Sequence, residues 1–193
     1  MKYIFLFFGA HDGRVVSQLD KLTIDKVYGE ATHWDEIHLF EPQTEHESTL
    51  KTLALNDKRI NYHKCAVSTE NKAGTLYVKG DFGYCSSTID QYKHAGHLHF
   101  TETVQIIDIV DWITKNTSAQ DYVCIDMDIE CEEYNILPYI IDSDIMDRIK
   151  FISVEFHEGK SHYWSQEGYD RQVRLFTYQR LGNKFIDHDT YYA

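Results

Sequence analysis

Strand-length apolar runs alternate with stretches of helical periodicity along nearly the whole chain. The runs are the opening Lys2 to Phe8, then Ile37 to Phe40, Ile60 to Val67, Tyr122 to Ile125 and Phe151 to Val154. Between them Val15, Val16, Leu19, Leu22 and Ile24 recur at roughly helical spacing, and Leu50, Leu53 and Leu55 mark another helix. Continuous apolar runs of this length are strands buried on both faces, and their alternation with amphipathic helices predicts an α/β fold with a mostly parallel central sheet and helices on both faces. Asp108 is placed to cap a helix running through Ile113. A further helix is expected from Tyr134 to Ile141, shortened or kinked by Pro138, and a last one from Asp170 to Leu181, stopped by Gly182 before an edge strand at Phe185-Ile186. Leu76 to Val78 and Val104 to Ile107 predict short additional strands. The Gly-, His- and Tyr-rich stretch from Gly80 to Phe100 between them is too long and polar for an ordinary connection, which marks it as a functional loop.

Two of the predicted strands end in acid. Tyr122 to Ile125 runs into Asp126-Met127-Asp128-Ile129-Glu130, and Phe151 to Val154 runs into Glu155-Phe156-His157. In an open parallel sheet the ligand crevice lies beyond the carboxyl ends of the strands, so these groups face a bound molecule rather than a packed core. Alternate residues of an extended segment share a face, which predicts Asp126, Asp128 and Glu130 on one side and Glu155 with His157 on the next strand. Two carboxylates and a third group there can hold Mg²⁺ or Mn²⁺, and Asp126, Asp128 and Glu155 are the candidate ligands. Without a metal, Asp128 or His157 is the candidate base, with Glu130 and Glu155 orienting a substrate. Glu132 reads as a carboxylate decorating a helix start, and Glu133 is open to the same reading.

At the first strand exit, Gly9-Ala10-His11-Asp12-Gly13 stands where a strand turns into a helix, and there glycines let a ligand approach backbone N–H groups. A spaced glycine pair is equally a tight structural turn. Glu41, closing the second strand before Pro42, favours the ligand reading, because an acid at that position can accept hydrogen bonds from both ribose hydroxyls of a nucleoside cofactor.

Length and charge narrow the field. The 193 residues fit one domain over 1–193, and the formal charge of −12 opposes any nucleic-acid partner. Cys65, Cys85, Cys124 and Cys131 lack metal-ligand spacing, and two of them, on or beside a predicted central strand, read as reduced small hydrophobes, which predicts a reducing, cytoplasmic location. The opening run imitates a signal peptide but stops at Gly9 without a cleavage site, and no segment approaches membrane-spanning length, so no membrane partner is expected. His94, His97 and His99 have no cysteine at suitable spacing and read as an exposed loop rather than a zinc site.

Taken in order, these motifs resemble the FkbM-type S-adenosylmethionine-dependent O-methyltransferases over most of the chain. The glycine turn is similar to Phe8-Gly9-Ala10-His11-Asp12-Gly13, the second-strand signature to Phe40-Glu41-Pro42, and the third-strand exit to Ala66-Val67-Ser68. A serine pair resembles Ser86-Ser87. The later signatures resemble Met127-Asp128-Ile129-Glu130, Glu133-Tyr134-Asn135-Ile136-Leu137 and Val154-Glu155-Phe156-His157. The resemblance implies a Rossmann-like fold and methyl transfer to a hydroxyl, commonly on a sugar or glycan. It implies S-adenosylmethionine held by Gly9, Ala10, His11, Asp12, Gly13, Glu41, Pro42, Ala66, Val67, Ser87 and Asp126, with Asp128, Glu130 and His157 as catalytic residues. An Asp-x-Asp pattern is also similar to metal-dependent sugar O-methyltransferases. Tyr84, Tyr92, His94, Tyr163 and Trp164 would form aromatic walls for a saccharide acceptor, or pack under the long loop.

The departures from that pattern are informative. Phe7 replaces the acid that commonly precedes the first glycine, Cys131 replaces the glycine after the fourth-strand Glu, and Asp126 replaces a lysine. The sequence opens at the first strand, which predicts an open cofactor site or one covered by a partner subunit in a homo-oligomer. Two other readings stand beside methyl transfer: a nicotinamide-dependent oxidoreductase, which shares the glycine turn and second-strand acid, and a degenerate non-catalytic module that binds a partner.

Overall fold

The computed structural model describes residues 1–24, 30–79, 98–157 and 167–187. In chain order the described elements are β1 (Tyr3–Phe8), α1 (Val16–Ile24), β2 (Glu36–Phe40), α2 (Glu47–Asn56), β3 (Ile60–His63), β4 (Ala66–Ser68), β5 (Lys72–Lys79), β6 (Leu98–Asp108), α3 (Ile109–Asn116), β7 (Tyr122–Met127), α4 (Glu133–Ile141), β8 (Ile149–Val154), α5 (Glu167–Leu181) and β9 (Phe185–Asp187).

A six-stranded sheet of order β3-β2-β1-β7-β8-β9, parallel at every pairing, forms the centre. β1 is apolar at every position because both of its faces are covered. Ile4, Leu6 and Phe8 pack with Ile113, Leu137 and Ile140 of α3 and α4, while Phe5 and Phe7 pack with Leu19 of α1 and Leu50 of α2. Each such side chain contributes about 1.5–3 kcal/mol by leaving water. The chain winds outward from β1 in both directions, so the crevice at the carboxyl ends of β1 and β7 is the topological switch point where ligands bind in this architecture.

The run Ile60 to Val67, expected as one strand, is two. β3 stops at His63, Cys65 N donates back to His63 O (2.9 Å), and β4 leaves for a second sheet of order β4-β6-β5. β5 and β6, expected as short strands, pair antiparallel over most of their lengths. Their apolar residues are confined to short stretches, with Tyr77 and Ile107 turned to the main core, and much of the rest of each strand meets water. Leu76, Val78, Val104 and Ile106 form a small separate core with Ala66, while Thr101, Thr103 and Gln105 are exposed. Apolar runs alone therefore underestimated both strands. β6 also takes over the last residues of the stretch expected as a loop; residues 80–97 lie outside the described residues.

The helix ends follow local chemistry. Asp108 Oδ1 accepts from Asp111 N (3.0 Å), the expected cap of α3. Pro138 sits inside α4 without breaking it; the ring nitrogen cannot donate to Tyr134 O, and the Tyr169 hydroxyl reaches that carbonyl instead (3.4 Å). Gly182, at φ +54, ends α5 ahead of the edge strand β9. Buried Asp187 ties that edge to α5 through Arg174 Nε (2.7 Å) and Tyr178 Oη (2.8 Å). Cys65, Cys124 and Cys131 are buried free thiols. Among the described residues no helix is long and apolar enough to cross a membrane.

Candidate active site

Two loops meet at the switch point. Where β1 ends, Gly9 N and Ala10 N donate to Phe40 O (3.0 and 3.2 Å), and Asp128 N, leaving β7, donates to Phe8 O (3.0 Å). Gly9 has φ +84, and a Cβ there would stand 1.8 Å from Asp128 O. Gly13 has φ +78, and its Cβ would stand 2.4 Å from Leu53 Cδ1. The glycine turn is thus pressed between the β7 exit and α2: at Gly9 a Cβ would have to move backbone, and at Gly13 the left-handed φ and the side chains of Leu53 and Leu50 disfavour one.

Glu41 closes β2 and is buried beneath this turn. Its Oε2 accepts from His11 N and its Oε1 from Gln43 N, both at 2.9 Å. Burial pushes its pKa up to about 7, against the pull of those two N–H groups. A cleft of about 140 Å³ opens here, lined by Gly9, His11, Phe40, Glu41, Pro42, Gln43, Ala66, Val67, Leu76, Asp128, Ile129, Glu130 and Glu132.

On the β7 side the chain abandons strand geometry after Met127. Glu130 and Cys131 adopt φ +52 and +85, the left-handed region that L residues rarely occupy. This turn decides which acids meet. Asp128, Glu130 and His157 each offer a ligand atom within 4.8 Å of the others'. His157 Nε2 stands 3.4 Å from Asp128 Oδ1, 3.6 Å from Glu130 Oε2 and 3.7 Å from Glu155 Oε1. Asp126 does not join them. It stays in β7, buried, in register between Phe7 and Ser153. The expected one-sided row of Asp126, Asp128 and Glu130 fails because alternation ends with the strand.

The ring of His157 is fixed from behind by Glu133. Glu133 is completely buried, and its Oε1 accepts from His157 N (2.9 Å) and faces Nδ1 at 3.0 Å. A carboxylate acceptor at Nδ1 places a proton on that nitrogen and directs Nε2 toward the acids. Burial pulls the His157 pKa down, but the Glu133 hydrogen bond and the charges of Glu133, Glu130 and Asp128 outweigh it, so the net shift is upward. Glu132 does stand at the N-cap position of α4, yet its side chain makes no capping bond and accepts instead from Ser68 Oγ (2.6 Å) and Asn135 Nδ2 (3.3 Å). Burial raises its pKa.

Residues 8–185 match the family model of the methyltransferase FkbM domain. The chain belongs to that family. A solved structure, methyltransferase FkbM from Methylobacillus flagellatus KT, is similar in fold, with 15% identity, a TM-score of 0.54 and coverage of 93% of this chain. This chain spans only 37% of that protein's length. No curated protein matches the chain. Membership in a methyltransferase family implies S-adenosylmethionine as the methyl donor.

The cleft of this FkbM domain fits such a nucleoside. A carboxylate has about four acceptor positions, and Glu41 uses one on each oxygen for backbone N–H groups, which leaves two for vicinal ribose hydroxyls. Phe40, Pro42, Ala66, Val67 and Leu76 give apolar walls for a flat base. Of the residues expected at the cofactor, Gly9, His11, Glu41, Pro42, Ala66 and Val67 line the cleft. Ala10 and Gly13 shape the turn, Asp12 pairs with Arg14 Nε (2.6 Å), and Asp126 stays in the sheet. Ser86 and Ser87, with Tyr84, Tyr92, His94, Tyr163 and Trp164, lie outside the described residues. Phe7, where the family commonly has an acid, is packed in the core behind the turn. Gln43 and Leu76 escaped sequence reasoning as cleft residues, and Glu133, read there as a helix-start acid and part of a family-like motif, was not seen as the partner of His157. The available signal for Glu133 was an acid at a helix start directly after an acidic strand exit, and it pointed equally to solvent.

Proposed function

We propose that this FkbM domain transfers the methyl group of S-adenosylmethionine to a hydroxyl of a sugar or glycan. The observation that carries the reading is a single cleft with Glu41 and the glycine turn at one side and Asp128 with Glu130 at the other. The acceptor oxygen attacks the sulfonium methyl in line: a C–O bond forms, the S–CH₃ bond breaks with its electron pair left on sulfur, and the hydroxyl proton must leave. Alcohols are weak nucleophiles at neutral pH, and the group of Asp128, Glu130, Glu155 and His157 supplies acceptors for that proton. A divalent cation at the same place would serve the same step by lowering the hydroxyl pKa. Clustered carboxylates suit an acceptor rich in hydroxyl donors, and the charge of −12 disfavours polyanionic ones.

Calorimetry should show binding of S-adenosylhomocysteine and none of NAD; absence of S-adenosylhomocysteine binding overturns the reading. Mass spectrometry of glycans after incubation with labelled S-adenosylmethionine identifies the acceptor. Asp128→Asn should lower turnover by at least about 100-fold while S-adenosylhomocysteine affinity stays within about threefold. Unchanged turnover removes Asp128 from the chemistry.

A further inference from the structure

We infer that Asp128, Glu130 and His157 form a binding site for one divalent transition-metal ion of the Mn²⁺ type, with Glu133 as the residue that orients its histidine ligand. The three side chains come from the exits of β7 and β8, Asp128 and Glu130 also line the cleft, and the ligand atoms of all three already lie within 4.8 Å of one another.

The decisive atom is His157 Nε2. It is buried and makes no hydrogen bond, although its distances to carboxylate oxygens are 3.4–3.7 Å. Buried polar atoms in folded proteins nearly always have partners, so an orphan aimed into acids calls for one. The other ring nitrogen faces Glu133 Oε1 at 3.0 Å, and the backbone N–H of the same histidine donates to that oxygen at 2.9 Å. Carboxylate, then imidazole, then an open nitrogen is the arrangement in which metal-ligating histidines are held, the acid fixing the tautomer and raising the ligand's basicity. Completely burying a glutamate to hold one histidine ring is costly unless that ring has a demanding task.

Spacing and charge agree with this. Ligand atoms about 2.1–2.4 Å from an ion and in adjacent positions lie about 3.0–3.4 Å apart. The separations of 3.4 and 3.6 Å from Nε2 to Asp128 and Glu130 need only a few tenths of an ångström of closure. Asp128, Glu130, Glu133 and Glu155 surround one imidazole, an excess of negative charge that a dication offsets. The ligand set also narrows the ion. One nitrogen with two carboxylate oxygens departs from the all-oxygen shells of Mg²⁺ and Ca²⁺ and suits a first-row transition ion, for which paramagnetic Mn²⁺ is the probe.

The catalytic use of the ion rests on the methyl-transfer reading, although its binding does not. With Asp128 and Glu130 serving as ligands, Glu155, whose Oε1 lies 3.7 Å from Nε2, is left to take the hydroxyl proton.

The test is titration of chelator-stripped protein with Mn²⁺, with and without S-adenosylhomocysteine, followed by electron paramagnetic resonance. One Mn²⁺ per chain is expected, with a nitrogen coupling in the pulsed spectrum and at least tenfold weaker competition by Mg²⁺. Asp128→Asn and His157→Ala should each lower Mn²⁺ affinity at least tenfold, and Glu133→Gln by about 10–100-fold. No saturable binding under either condition, binding without nitrogen coupling, or unchanged affinity in Asp128→Asn overturns the site. Should His157→Ala fail to fold, the coupling in the unmodified protein and the half-exposed Asp128 variant decide it. Failure of S-adenosylhomocysteine to bind would overturn the methyl-transfer reading and leave the Mn²⁺ result standing.

Discussion

The two sides of the cleft are made of different material. Around Gly9 and Glu41 the geometry is backbone: N–H groups of His11 and Gln43 fix the carboxylate, one on each oxygen, and the peptide of Asp128 occupies the space where a Gly9 side chain would go. Around Asp128 and His157 it is side chain: a left-handed turn at Glu130 and Cys131 delivers the acids, and Glu133 from α4 sets the ring. The backbone-built side can hold a cofactor of fixed shape and tolerates almost no substitution. On the side-chain-built side single acids can be changed without touching the Gly9 contact, which predicts that such changes act on turnover more than on cofactor affinity.

Gly9→Ala attacks the contact that joins the two sides and should have the largest effect. A Cβ 1.8 Å from a carbonyl oxygen forces the β1 and β7 exits apart, costing about 3 kcal/mol or more and lowering the melting temperature by roughly 6–12 °C, with loss of S-adenosylhomocysteine binding. A variant that melts normally and binds normally would show that the sides are not coupled there.

Glu133→Gln tests their independence from the other direction. It should lower turnover about 10–100-fold and leave S-adenosylhomocysteine affinity within about threefold, both read on the same preparation. Equal loss in both assays would mean that Glu133 supports the whole mouth rather than His157.

A third effect belongs to the cofactor side alone. The Glu41 carboxyl, raised by burial from 4.5 to about 7, is neutral below that pH and must ionise to accept two ribose hydroxyls. Affinity for S-adenosylhomocysteine should therefore be flat above pH 7 and fall about tenfold per unit below it. Glu41→Gln should bind weakly without that pH dependence. The same shift has the opposite sign for the unliganded fold: a raised carboxyl pKa means that stability is full below 4.5 and declines as pH rises toward 7. Calorimetry and thermal melts across this window read both slopes.

Cys131→Gly should have the smallest effect. Glycine relieves about 1 kcal/mol of left-handed strain at φ +85, while losing the buried thiol costs about as much. The melting temperature should move by less than about 4 °C, with turnover unchanged.

The legibility of the molecule follows the same division. The parallel sheet was readable because strands covered on both faces carry long apolar stretches: all of β1, Tyr122 to Ile125 of β7 and Phe151-Ile152 with Val154 of β8. The caps at Asp108 and Gly182 were readable because they act within a few residues. β5 and β6 were underestimated because outside Leu76 to Val78 and Val104 to Ile107 their described residues are mostly polar and exposed, so apolar runs mark only part of each strand. The split between β3 and β4 was hidden because no glycine or proline marks the turn at Lys64 where the chain changes sheets. Gly9, Glu41 and Asp128 could be placed from the ends of their strands alone.

What the sequence determined by itself was the architecture and the family pattern, since strand periodicity, glycine turns and acidic strand exits are local properties of the chain. Only the tertiary structure decided which acids converge. It kept Asp126 in the sheet, carried Glu130 around a left-handed turn, and turned Glu133 inward to His157 across 24 residues of chain. No spacing rule encodes that choice, because it depends on where strand geometry stops and on which helix packs behind the ring.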